Sequence, residues 1–411
     1  MKVLFTFGGL PHYYNSVLNK LNEINGLEIV VVIPGIKSST LGAGVFERSK
    51  GVEFRLIRAE EYEAWYGKPM LKGFAKILKK ENPNVVVTIW PYVLGVIFNP
   101  LLFFQIKLKN IKLIFKEIPF GIPKFKDSLR FYFNENVYSE ESHEEIKYSK
   151  NLVNYVRIIS LSLIRVIYYN LCSAHVNYIE EAYDILGSYG VKKRKIFITY
   201  NSPDTDSLLK AKDEADKQEH ILPANRFRIT HIGRLVSWKR VDLLLNAAAA
   251  LKYRFPSIEV LIIGDGPKRN ELQELADRLG VSDNVKFIGA VYDPVLLGRY
   301  FKVSSIYVLA GMGGLSINEA MIYGKPVVCS VADGTEKKLV RENFNGKYFE
   351  KGNLEDLVEK LDFLLSNPKI AEDMGKNSEK IILEEVNIHT VIKGYIQAFN
   401  YVTKNKFQLK Y

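Results

Sequence analysis

Phe227-Arg228-Ile229-Thr230-His231-Ile232-Gly233-Arg234-Leu235-Val236-Ser237-Trp238-Lys239-Arg240 reads as a β-branched strand that breaks on a glycine and opens into a basic turn. Gly233 lets the backbone leave the strand sharply. Two more stretches repeat the device. Leu261-Ile262-Ile263-Gly264-Asp265-Gly266-Pro267 is a strand that ends in a tight turn before a helical pattern. Gly311-Met312-Gly313-Gly314-Leu315-Ser316-Ile317-Asn318-Glu319-Ala320 is a glycine-rich loop that opens a helix. Between them Val285–Val291 reads as a strand and a turn. Strand, glycine turn and helix in strict alternation argue for a parallel sheet covered by helices.

The same alternation runs outward in both directions. Upstream strands are expected at Val3–Phe7, Glu28–Ile33, Glu53–Ile57, Val85–Ile89, Lys112–Ile118, Ala174–Tyr178 and Lys195–Tyr200. After Lys210–Gln218, a polar stretch that reads as a linker, they are expected at Phe227–Ile232, Ile258–Ile263, Val285–Ile288, Ser305–Leu309, Pro326–Cys329 and Gly346–Phe349. Two doubly wound α/β domains in tandem follow. Ligands in such sheets bind outside the carboxyl ends of the strands, which places a cleft between the domains. Phe125–Tyr169 interrupts the rhythm with an acidic cluster, Glu140–Glu145, and a long apolar helix candidate, Leu152–Cys172.

With 411 residues, 47% of them apolar and 25% charged, the chain has the composition of a globular protein, not of collagen or a disordered segment. Its two cysteines, Cys172 and Cys329, supply no disulfide framework and point to a reducing compartment. The net charge of +11 is uneven: residues 1–200 hold 27 basic and 18 acidic side chains, a balance of +9. That asymmetry suggests a polyanionic partner or an anionic membrane surface for the first half. The uncharged run Asn82–Ile106 is long enough to span a bilayer, but Pro83, Pro91, Gly95 and Pro100 break it into a buried strand, a turn and a short apolar helix. No helix-turn-helix, RNP or zinc-finger pattern supports nucleic-acid binding.

In their order and spacing, the four second-half elements resemble the C-terminal domain of GT-B-fold glycosyltransferases, specifically glycosyltransferase family 4, the "glycosyl transferases group 1" type. The resemblance extends over about residues 195–385, and more weakly over 1–120. It implies the GT-B fold class: two Rossmann-like doubly wound domains with an interdomain cleft. Residues 1–204 would be the acceptor-side domain with a helical insertion near 125–170. Residues 205–385 would bind the nucleotide-sugar, and 386–411 would be a helical segment packing back on the first domain. The resemblance also implies roles. Arg234 and Lys239 would meet the donor diphosphate and carry catalysis with Glu117, the nearest polar residue where the family has a histidine. Glu319 would hold the ribose and the backbone near Val291 the base. Gly266, Gly313, Gly314 and Leu315 would complete the donor site, with Gly8 and Gly9 meeting the phosphates from the first domain.

The activity implied is a retaining, metal-independent glycosyl transfer (EC 2.4 class). The donor is a nucleotide-sugar, UDP favoured over GDP, and the acceptor a glycan or lipid-linked saccharide of cell-surface polysaccharide or glycoconjugate synthesis. No cofactor is expected. The setting is cytoplasmic, peripheral on the inner membrane face. The alternatives are another GT-B enzyme, an epimerase or phosphorylase, or a non-catalytic membrane-associated homologue. One departure stands out: the family's first glutamate of Glu-x7-Glu falls at Gly311, so no carboxylate is available there. His12, His175 and His231 read as structural, with His12 the best exception because it follows Gly8-Gly9.

Overall fold

The computed structural model describes residues 1–36, 50–117, 119, 121–135, 137–138, 145–332, 334–405 and 407. It divides into two units, one formed by Met1–Tyr200 with His389–Tyr411 and the other by Asn201–Ile388.

In chain order the first unit contains strands β1 (Lys2–Thr6), β2 (Glu28–Pro34), β3 (Arg55–Ala59), β4 (Glu61–Glu63), β5 (Pro69–Leu71), β6 (Val85–Thr88), β7 (Lys112–Glu117), β8 (Val137–Tyr138), β9 (Glu145–Ile146), β10 (Ala174–Asn177) and β11 (Ile196–Ile198). Seven of them form one sheet in the order β11-β10-β7-β6-β1-β2-β3, every neighbour parallel. The central strands are buried on both faces, which is why they read as unbroken apolar runs. One face carries a core of Leu4, Val86, Leu102, Ile106, Phe115, Tyr168 and their neighbours. On the other face the helix Ile388–Thr403 sets Tyr395 and Phe399 edge-on to Phe5, at 5.8 and 6.4 Å between ring centroids.

The second unit contains β12 (Arg228–Ile232), β13 (Glu259–Ile263), β14 (Val285–Gly289), β15 (Ile306–Leu309), β16 (Val327–Cys329) and β17 (Gly346–Tyr348). They form a six-stranded parallel sheet in the order β14-β13-β12-β15-β16-β17. Both units are therefore doubly wound and Rossmann-like, and every expected strand of the two main sheets is present within two residues of its expected ends.

Three expectations need correction. Lys210–Gln218 is not a linker: Thr205–Asp216 is a helix, with the Asp204 carboxylate accepting from the Ser207 amide at 3.2 Å. Its apolar face consists only of Leu208, Ala211 and Ala215, buried at three- and four-residue spacing within a charged sequence, and so it is easily overlooked. The basic excess of the first half is not one continuous surface. Lys112 and Lys116 lie in β7, and Lys124 pairs with Asp184 at 3.1 Å. The apolar helix runs Leu152–Leu171, ends one residue early at Cys172, and is capped by the Asn151 side chain. Of the acidic cluster, Glu140 to Glu144 lie outside the described residues.

Candidate functional site

In the second sheet the chain reverses its winding between β12 and β15, neighbours that pair through Ile229↔Ile306 and Thr230↔Tyr307. That is the topological switch point, where open parallel sheets take ligands. Beside it, the turns after β12, β13 and β14 meet at backbone distance. Gly233 N donates to Ile263 O at 3.0 Å, Leu235 N to Asp265 O at 3.0 Å and Gly264 N to Gly289 O at 2.8 Å. So close a crossing leaves no room for side chains. A Cβ on Gly264, whose φ is +144°, would lie 1.9 Å from Gly233 O, and one on Gly266 would lie 2.5 Å from Leu235 O. These two glycines are required by packing between the turns.

The glycine-rich loop after β15 is tied to the basic turn after β12. Met312 N donates to Trp238 O at 2.8 Å. The Lys239 ammonium donates to the carbonyls of Met312 and Gly313, at 2.8 and 2.6 Å. A Cβ on Gly311 would fall 2.1 Å from Trp238 O and 2.7 Å from the Lys239 carbonyl carbon. The absent glutamate at this position therefore has a steric cause: the loop backbone occupies the space a side chain would need. Gly314, at φ +153°, turns the loop into the seven-residue helix Ser316–Ile322, whose first serine accepts from the Tyr307 hydroxyl at 2.7 Å. Leu315 stands half-buried at the head of that helix.

Three polar residues lie on the elements that meet at this switch point. Arg234 is half-buried, and its Nη1 is inaccessible and makes no hydrogen bond among the described residues. Lys239 brings its charge to the same turn, its Cε 3.6 Å from where a Gly233 Cβ would be. Glu319, half-buried in the short helix, has its carboxyl pushed up to about 7 by burial. Two residues past β14, Val291 is half-buried. Arg269, which sequence reasoning missed, lies beside that strand, its guanidinium 5.9 Å from the Phe287 ring and 3.6 Å from Asp265. Tyr307 was missed as well. Arg269 reaches Phe287 and Tyr307 reaches Ser316 across intervening turns, and no motif in the sequence signals either contact.

Eight of the expected site residues, Arg234, Lys239, Gly266, Val291, Gly313, Gly314, Leu315 and Glu319, thus belong to the second unit. Gly8, Gly9 and Glu117 belong to the first. Gly8 and Gly9 are buried in the turn after β1, again beside a winding reversal, here between β1 and β6. Glu117 ends β7 and accepts a hydrogen bond from the Tyr169 hydroxyl. Burial pushes its carboxyl up to about 7, against the pull of Tyr169 and Arg165. Its neighbour Lys116 points to the opposite face of the strand. It donates to the Tyr178 hydroxyl and lies 4.3 Å from the Tyr178 ring centroid and 5.0 Å from that of Tyr14. Burial lowers its ammonium to about 7. His175 and His231 are fully buried in strands and bond backbone oxygens of Tyr169 and Val308.

The model of the "Glycosyl transferases group 1" family matches residues 212–381. That match lies wholly within the second unit. An uncharacterized glycosyltransferase of Haemophilus influenzae is 31% identical over 184 residues, 43% of this chain and 51% of that protein. The poly(ribitol-phosphate) alpha-N-acetylglucosaminyltransferase of Staphylococcus aureus is 27% identical over 173 residues, 42% of this chain and 35% of that protein. The chain thus spans about half the length of the first curated relative and about a third of the second. Among solved structures, Anabaena HepE in complex with UDP superposes with a TM-score of 0.66 at 16% identity, over 97% of this chain and all of that one. That likeness is one of fold, and the fold is GT-B. The elements at the switch point between β12 and β15 carry Arg234, Lys239 and Glu319, residues to which the family resemblance assigned donor contacts.

Proposed function

We propose that the protein is a retaining glycosyltransferase. It moves a sugar from a nucleotide-sugar, UDP favoured over GDP, to a glycan or lipid-linked acceptor in cell-surface polysaccharide or glycoconjugate synthesis on the cytoplasmic side, without a cofactor. One observation carries the reading. At the switch point of the second sheet, a buried arginine nitrogen has no partner among the described residues, a few residues from a lysine that braces the facing loop. An unpaired buried donor is costly, so a ligand that accepts from it is the natural complement. As the glycosidic bond breaks, negative charge grows on the leaving diphosphate. Arg234 offers it a planar donor set and Lys239 a point charge, both already positioned. Glu319, once ionised, accepts from two ribose hydroxyls. UDP bound to HepE supports the donor class, and the N-acetylglucosaminyl transfer to poly(ribitol-phosphate) named for the Staphylococcus relative supports a polymeric acceptor.

The test is a thermal-shift and calorimetry panel of UDP- and GDP-sugars, followed by product analysis with and without saccharide acceptors. Stabilisation by one sugar nucleotide and transfer only in the presence of acceptor are expected. Conversion of the nucleotide-sugar without acceptor would mark an epimerase instead. Binding without turnover would mark a non-catalytic homologue, and no binding would remove the site assignment.

A further inference from the structure

We propose that the first unit carries an interfacial lipid-binding face, made of the outer sides of two helices over one core and rimmed by lysines, that rests on an anionic leaflet. The proposal does not depend on the transferase reading.

The helix Leu152–Leu171 is twenty residues long, enough to cross a bilayer by length, and has no acidic residue. Its inner side is committed to the protein. Ile158, Ser162, Tyr168 and Tyr169 are buried, and Arg165 is buried against the Tyr132 hydroxyl at 3.0 Å. A helix held in this way cannot span, because crossing would put that arginine and the severed core into lipid. Its outer side is apolar all the same. Leu152, Val156, Ile159, Leu163 and Ile167 follow at steps of four and three, one helical face, and each is 46 to 79% exposed.

A second apolar ridge lies on another helix of the same core. In the helix Pro100–Leu108, Leu102 and Ile106 enter the same core as Tyr168 and Tyr169, while Leu101, Phe104 and Leu108 point outward at 81, 59 and 86% exposure. Trp65, 83% exposed, extends it with its ring 5.6 Å from Phe98. Two exposed apolar ridges over one core are unusual on a protein that meets only water, and an exposed tryptophan beside one of them suits a membrane interface.

Charge identifies the occupant. Residues 68–112 contain eight lysines and a single acidic residue, Glu81. Glu81 is buried and held by Arg55 at 2.9 Å and Lys2 at 3.5 Å, so it does not offset the lysines outside, of which Lys72 is paired with Glu60 at 2.6 Å. The helix Phe74–Glu81, which presents Lys76, Lys79 and Lys80 to solvent, lies directly against the apolar ridge. Gln105 bonds Ala75 O at 2.9 Å and Lys109 bonds Asn82 at 2.9 Å. Apolar side chains flanked by such a basic rim fit an anionic headgroup layer over acyl chains. A second copy of this chain fits poorly, because a two-fold contact would set the lysine rims against each other.

The experiment is co-sedimentation of the full chain, with no nucleotide present, on phosphatidylcholine vesicles with and without phosphatidylglycerol, at low and high salt. Binding to the anionic vesicles and release by salt are expected. K76E/K79E/K80E should weaken that binding by at least about tenfold. V156S/L163S should do so while keeping the wild-type circular dichroism and melting temperature. Absence of binding, or equal binding to both vesicles, would overturn the proposal. So would alkali-resistant retention, which would indicate a span, or a concentration-dependent dimer lost in V156S/L163S. Nucleotide binding is measured separately, so failure here leaves the transferase reading untouched.

Discussion

Replacing Gly311 by alanine sets a Cβ 2.1 Å from Trp238 O and 2.7 to 2.9 Å from Lys239 backbone atoms. Every clashing atom is main chain, so no side chain can swing aside, and the glycine-rich loop must withdraw. Withdrawal breaks the Met312 N–Trp238 O bond, worth about 1 kcal/mol, and loosens the two charge-assisted bonds from Lys239, worth about 2 kcal/mol together. If the loop stays instead, overpacking costs about 1–3 kcal/mol. Either route gives roughly 3 kcal/mol, equivalent to about a hundredfold in the loop's closed population. Two readouts follow. The Met312 amide should lose hydrogen-exchange protection, and donor affinity by calorimetry should fall by a comparable factor. Gly311→Glu, which supplies the carboxylate that the family resemblance would place there, should be no better than alanine and give no rise in turnover. Unchanged Met312 protection with donor affinity within about twofold of wild type, or a gain in turnover from Gly311→Glu, would refute the steric reasoning.

Arg234→Ala should lower turnover more than donor affinity, if its role is the leaving-group charge; steady-state kinetics with equal losses in both would place it in ground-state binding. Glu319→Ala should weaken donor binding by roughly 1.5–3 kcal/mol in titration calorimetry. The folded-state carboxyl of Glu319 lies near 7, above its ordinary 4.5. It is therefore largely protonated on the acid side of 7, and donor affinity should rise as pH increases through that value. By the same linkage the free protein loses stability as pH rises from about 4.5 to 7, and Glu319→Gln should flatten both profiles. Arg228, 1% exposed, holds Glu259 at 2.9 Å at the opposite, amino end of the sheet. Arg228→Met should destabilise by about 3 kcal/mol in thermal melts, because it strips a partner from a buried carboxylate, and should leave the donor affinity of the remaining folded protein unchanged.

Much of this architecture is local chemistry and is legible in the sequence. Buried parallel strands need unbroken β-branched runs, so Val85–Thr88 and Glu259–Ile263 announce themselves. Turns at strand ends need glycine, so Gly233, Gly264 and Gly311 mark the carboxyl edge of the sheet before any coordinate is known. The helix Thr205–Asp216 does not announce itself, because three small apolar residues among charges carry too little periodicity.

Other features depend on which distant segments meet. Strand order put β12 beside β15, and with it the switch point that gathers Arg234, Lys239 and Glu319. Only that neighbourhood shows why Gly311 has no side chain, since the obstructing atoms come from Trp238 and Lys239. Lys116 and Glu117 are adjacent in sequence, yet the pleat of β7 sends one to Tyr178 and the other to Tyr169, and each is driven toward neutrality by burial. The basic half of the chain was plain from composition alone. That its lysines on Phe74–Glu81 border an apolar ridge followed from the packing of two helices about twenty residues apart, a contact that no pattern along the chain encodes.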